Sequence, residues 1–206
     1  MKTINVRLTF VESVLGTASN NKELHAEYIA SHAPDAKSKE EEIDAVGVEE
    51  FLEKQMTVFS RDKDGDPVFW DYQIKGFFKS ACSALRRCKG EEFSKHSCKL
   101  ACHKKVIDQC IHVYPRQIKI NLNGGEMDIM QRPLRASTPQ GERVALATSE
   151  TIPAGSSIDV SILCMSDNFE NAVIEWLDYG IFCGLGSWRS ASFGRFTWNR
   201  IKEDDE

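Results

Sequence analysis

The fifteen residues GLGSWRSASFGRFTW (184–198) hold the densest set of groups in this chain that could do chemistry. Gly184, Gly186 and Gly194 stand beside Trp188, Arg189 and Arg195. Glycine lets backbone amides approach an anion where a Cβ would intrude, and neighbouring guanidiniums neutralise its charge. The set points to a phosphate-bearing ligand, with Trp188 as a stacking face for a splayed base. A second reading stands beside it: a helix C-cap feeding a strand, with Trp188 and Trp198 in the core.

A longer basic segment runs from Lys75 to Arg143 and includes ALRRCKG, LACHKK and QRPLRAS, the last carrying Arg132 and Arg135. Lys75 and Lys79 are expected at the N-terminus of a helix, where side-chain charge adds to the helix dipole. A solvated basic face is the alternative. Seven cysteines occur, at 82, 88, 98, 102, 110, 164 and 183, and five of them share the 82–110 region with His96 and His103. Structural zinc sites pair close ligands at short, regular spacing, and this spacing is loose. Reduced thiols in a helical insertion are expected, with Cys82 packed inside a helix, and no metal or other cofactor is assigned. DKDGD (62–66) has aspartates at alternate positions but lacks the later glycine and glutamate of a calcium loop, so it reads as a hairpin turn. No nucleophile elbow, phosphate-binding P-loop or HExxH motif is present.

The net charge of −5 argues against a general nucleic-acid binder. Much of the acid lies in 37–54 and 202–206, however, so the segregated basic segments permit an anionic partner without demanding one. The chain has 206 residues, of which 41% are hydrophobic, which suits one globular domain carrying insertions. No run approaches the roughly 20 apolar residues of a membrane span. MKTINVRLTF lacks an apolar signal core, so a cytoplasmic protein with no membrane partner is expected.

Elements must position these groups. Residues 3–13 alternate Ile4, Val6, Leu8 and Phe10 against polar neighbours, as a half-buried strand does. Residues 21–56 read as an acidic helical excursion. MTVFS and PVFWDY read as strands around the DKDGD turn. Residues 73–87 place Ile74, Phe77, Phe78, Ala81 and Leu85 on one helical face. VIDQCIHVYPRQIKINL and GEMDIMQRPLRA read as strands around an NGG turn at 123–125, and 142–165 as two strands joined by a Pro-Ala-Gly turn. The last helix is expected to be capped by Asn168, striped by Val173, Ile174, Leu177 and Ile181, and ended by Gly184. FGRFTWNRI closes as a strand. Without the excursions at about 21–56 and 88–105, the order is βαββαβ: an α+β, ferredoxin-like sheet with helical insertions, here a single domain over 1–206.

Three segments carry a resemblance. The glycine-rich end resembles the C-terminal loop of RAMP proteins, the RRM-type RNA-binding components of CRISPR effector complexes. It matches at Gly184, Leu185, Gly186, Phe193 and Gly194. WDYQIKGFFKSACSAL (70–85) looks like the signature opening the first helix of type III backbone subunits, matching at Ile74, Lys75 and Gly76. Lys79 stands where Arg is usual, and Asp71-Tyr72-Gln73 replaces Gly-Ser-Ser. ERVALATSETIPAGSSIDVSI (142–162) is similar to the central hairpin of that group.

The resemblance implies a subunit that holds single-stranded guide RNA and oligomerises along it with copies of itself or other RAMP subunits. The implied RNA-binding residues are Lys75, Gly76, Lys79, Arg132, Arg135, Gly184, Gly186, Trp188, Arg189, Gly194 and Arg195. Some relatives cleave RNA through a histidine, others through a loop aspartate and a metal. His25 or His32 and Asp35 or Asp44 fall in the corresponding interval, but none aligns, and no catalytic residue is assigned. A phage-encoded mimic that inhibits a CRISPR complex, a RAMP-type endoribonuclease and a ferredoxin-like assembly protein without nucleic acid remain as alternatives.

Overall fold

The computed structural model describes residues 1–20, 56–138 and 141–201, without the side chains of 134–138 and 141–145. The helix expected over 21–56, with His25, His32, Asp35 and Asp44, lies outside the described residues apart from Met56. The chain divides into two compact units: Met1–Val14 with Ser60–Glu126 and Ile152–Glu206, and Leu15–Phe59 with Met127–Thr151.

In chain order the described elements are β1 (Lys2–Phe10), β2 (Val14–Leu15), β3 (Ala18–Ser19), β4 (Thr57–Val58), β5 (Ser60–Arg61), β6 (Pro67–Trp70) and α1 (Asp71–Leu85). There follow α2 (His103–Cys110), β7 (Ile111–Tyr114), β8 (Gln117–Asn121), β9 (Asp128–Thr138), β10 (Gly141–Ile152), β11 (Ser157–Cys164), α3 (Asp167–Asp178) and β12 (Phe196–Arg200).

The first unit is built on one sheet in the order β12-β1-β11-β8-β6-β5, with β7 also pairing β11. Its central pairs are antiparallel, with Val6 opposite Val160 on one side and Arg200 on the other. Taking β1, β7/β8, β11 and β12 as the four framework strands gives the spatial order 4-1-3-2. This is the ferredoxin-like α+β arrangement. Alternation explains the packing: Ile4, Val6, Leu8 and Phe10 are buried, and so are Ile158, Val160 and Ile162. The helices cover that face. Phe78 meets Trp176 at 5.4 Å between ring centroids, and Phe77 meets Phe196 edge-on at 5.1 Å. The second unit contains the β2-β10-β4-β3 sheet with β9 on β10, and β9 and β10 form a long hairpin.

The start of α1 is local chemistry. Gln73 Oε1 reaches back to accept from the Trp70 backbone N–H at 2.7 Å, and Asp71 favours the positive end of the dipole. The DKDGD turn joins β5 to β6 as expected, with Asp62 Oδ1 accepting from the amides of Asp64 and Asp66 at 2.9 Å.

Four expectations change. Residues 106–110, read as the start of a strand, end helix α2, because Ile107 is the only one of its residues that is buried and no two-residue alternation is present. The 123–125 turn does not join paired strands: β8 pairs with β11 and β6, whereas β9 pairs with β10. Asn123 and Gly124 do take left-handed φ of 50° and 83°. The turn instead packs on the next one, with Asn123 Nδ2 donating to the Gly155 carbonyl at 2.6 Å. Ser166, not Asn168, precedes the first residue of α3. That helix stops at Asp178 and tightens into a 3-10 turn at Tyr179–Ile181, so Gly184 does not end it and Ile181 is exposed.

The seven cysteines are free thiols. Burial pushes the Cys82 and Cys164 thiols up to about 11, which leaves them unreactive packing groups. No helix among the described residues is long and apolar enough to cross a membrane.

Candidate nucleic-acid interface

The glycine-rich segment folds into a neck and a tip. At the neck two backbone stretches cross in contact. The Leu185 amide donates to the Gly194 carbonyl at 3.0 Å, and the Gly194 amide to the Ser13 carbonyl at 2.9 Å. A Cβ on Gly184 would stand 1.8 Å from the Gly194 oxygen, and one on Gly194 would stand 1.8 Å from the Leu185 oxygen. These two glycines are therefore required by the chain's own crossing. Arg195, next to the neck, is paired with Glu12 at 2.9 Å.

The tip is different. Gly186, Trp188 and Ser192 take left-handed φ of 87°, 53° and 70° around a 3-10 turn at Arg189–Ala191. Trp188 stacks on Phe193, with centroids 5.2 Å apart and planes within 16°. It is 39% exposed, so the core position of the second reading is not where it lies. Trp198 is half-buried, and its indole N–H donates to Asp178 at 2.8 Å. Between the tip and α1 an open depression of about 650 Å³ is lined by Ser80, Phe182, Ser187, Arg189, Ser190 and Ser192. Arg189 is exposed and has no ion pair among the described residues. A guanidinium beside several hydroxyls can hold a phosphate oxygen cluster through charge-assisted hydrogen bonds.

The other basic groups are engaged or elsewhere. Helix α1 begins at Asp71, so Lys75 and Lys79 lie in its second and third turns and not at its N-terminus, which removes the dipole argument for them. Lys79 pairs with Asp108 Oδ1 at 2.6 Å, and Lys75 Nζ donates to the Asp108 carbonyl at 3.4 Å. Gly76 is exposed, with open space around it. Arg86 donates to His103 Nδ1 at 2.8 Å, and His103 Nε2 lies 2.8 Å from the Ser83 hydroxyl. Because Nδ1 accepts, the ring is neutral with its proton on Nε2. Burial first, then Arg86 and Lys104, hold His103 below the usual histidine range. Arg132 is half-buried on β9 opposite Ala147, and Arg135 stands opposite Val144 with its side chain outside the description. Both belong to the second unit.

Sequence reasoning missed Phe182, which is 73% exposed, and the serine lining. Phe182 follows an apolar stripe in sequence and lies just past the 3-10 turn Tyr179–Ile181 that ends α3. No three His, Cys, Asp or Glu side chains among the described residues form a group able to hold a metal.

No protein-family model matches the chain, and no curated protein matches it. Solved structures do match. The type III-B Cmr-beta complex bound to cognate target RNA contains a chain that superposes with a TM-score of 0.51 at 11% identity. The backbone fold is shared. The match covers 97% of this chain and 58% of the other, so this chain spans less than two thirds of that neighbour's length. A type IV-B CRISPR complex gives a TM-score of 0.48 at 11% identity, over 100% of this chain and 92% of that one. Cmr6 from Pyrococcus furiosus gives 0.42 at 12%, over 95% and 97%.

Proposed function

We propose that the chain is a subunit of a CRISPR-type ribonucleoprotein, and that it holds single-stranded guide RNA through phosphates while associating side by side with like subunits. The observation that carries this reading is the open tip: Arg189, without an ion pair among the described residues, lies among serine hydroxyls. The shared fold supports it, since the neighbour bearing that fold belongs to a complex solved with target RNA. The contacts expected are Arg189, the Gly186 backbone and the face of Trp188. Lys75, Lys79 and Arg195 are held by the chain itself, and Gly184 and Gly194 act by shaping the loop.

One tip reaches only a few nucleotides. Weak contacts of that kind become strong when many copies sit on one strand, through effective concentration. The test is sedimentation of the purified protein with short and long single-stranded RNA. Cooperative multimers on the long strand are expected. A strictly one-to-one complex, or no binding at low salt, would rule the reading out.

A further inference from the structure

Phe182 is the wall between two hollows. On one side lies the Arg189 depression. On the other is a smaller socket of about 180 Å³, lined almost wholly by apolar surface from Leu85, Phe93, Tyr179 and Phe182, with Asp178 among its lining residues. An apolar cavity of roughly 150 Å³ takes one benzene-sized ring, so this socket suits a single flat ring system. Phe93 and Phe182 are 57% and 73% exposed, an unusual degree for neighbouring phenylalanines that line one hollow. Asp178 supplies the polar group. Its Oδ1 accepts from the Trp198 indole N–H at 2.8 Å, and its second oxygen bonds no described residue. Glu175 also lines the socket, but both its oxygens are taken by the Ser97 and His96 amides and the Ser97 hydroxyl, at 2.6–2.8 Å.

We infer that the two hollows form one nucleotide-binding site: the phosphate lies against Arg189 and the serines, and the base lies in the socket on Phe182 with its amino group donating to Asp178. The occupant is a single-stranded nucleotide whose base carries an exocyclic amino group, cytosine or adenine before uracil. Charge complementarity selects it. Arg189 lines one hollow, the carboxylate-bearing Asp178 lines the other, and the Phe182 ring is common to both. A carboxylate accepts from the exocyclic amino group at C4 of cytosine, whereas uracil offers only a carbonyl oxygen at that same position. This inference rests on the RNA-binding reading and adds base selection to it.

The experiment measures binding of oligo(C), oligo(A) and oligo(U) RNA of equal length by fluorescence anisotropy at fixed salt. The wild-type protein is expected to prefer the amino-bearing strands to oligo(U) by roughly threefold to tenfold. Asp178→Asn retains an acceptor for Trp198 and turns the free oxygen into a donor, so it should move the preference toward oligo(U). Phe182→Ala, at an exposed position, should weaken all three strands and flatten the preference. Arg189→Ala should weaken all three equally and leave the preference intact. Equal binding of the three strands, or an Asp178→Asn protein with the wild-type ratio, overturns the base site while the phosphate reading stands. Failure of every strand to bind removes both.

Discussion

The segment Lys75–Arg87 and the segment Trp188–Arg195 look alike in sequence, each mixing small residues with arginine or lysine, yet the fold uses them in opposite ways. On α1 and at its C-cap, cations close contacts within the chain, Lys79 with Asp108 and Arg86 with His103, and Arg87 just beyond is exposed. At the loop tip Arg189 stands over an open hollow, while a few residues on Arg195 is tied to Glu12. A basic residue counts toward ligand binding only after its partners within the chain have been subtracted. The same holds for glycine: Gly194 is needed by a backbone crossing, Gly186 by its left-handed φ in the tip.

Several substitutions would break or sharpen that contrast. The largest effect is expected at the neck. Gly194→Val forces a Cβ onto the Leu185 carbonyl and should cost roughly 3 kcal/mol, read as a shift in the urea unfolding midpoint. Normal stability there would show that the crossing gives way easily, and the distinction between neck and tip would fail. Next comes Arg189→Ala, which should leave the melting temperature unchanged, weaken RNA several-fold and lower the slope of log affinity against log salt by about 0.7. An unchanged slope would mean that the tip carries no phosphate.

Lys79→Ala should do the reverse. It removes a partly exposed ion pair, so stability should fall by no more than about 1 kcal/mol while RNA affinity holds. A clear loss of affinity would place Lys79 in the interface after all. The smallest effect concerns pH. His103 is held neutral and its pKa lies below that of the unfolded chain, so its contribution is present above about 6.5 and is lost as pH falls through the folded value. The melting temperature of the wild-type protein should therefore drop more between pH 7 and pH 5 than that of His103→Gln. Parallel curves would show that His103 takes up its proton in the folded protein as it does in the unfolded chain.

Periodicity alone determined much of the framework. The alternation of Ile4 to Phe10 and the stripe of Ile74, Phe77, Phe78, Ala81 and Leu85 are local patterns, and both are buried as those patterns require. The DKDGD hairpin was legible for the same reason: its turn is closed by an aspartate two and four residues from the amides it accepts. Partner choice was not legible. Nothing local to 123–125 says that β8 will pair with β11 and that β9 will leave for another sheet, because strand pairing is decided by which faces must be covered. Nor could the sequence show that Lys79 would meet Asp108, or that Phe182 would divide two hollows. Those facts depend on where α1, α2 and α3 end and on what they pack against. The residue types around 184–195 set which chemical groups the loop carries. The tertiary structure decided which are tied within the chain, as Arg195 is, and which stand exposed without an ion pair among the described residues, as Arg189 does.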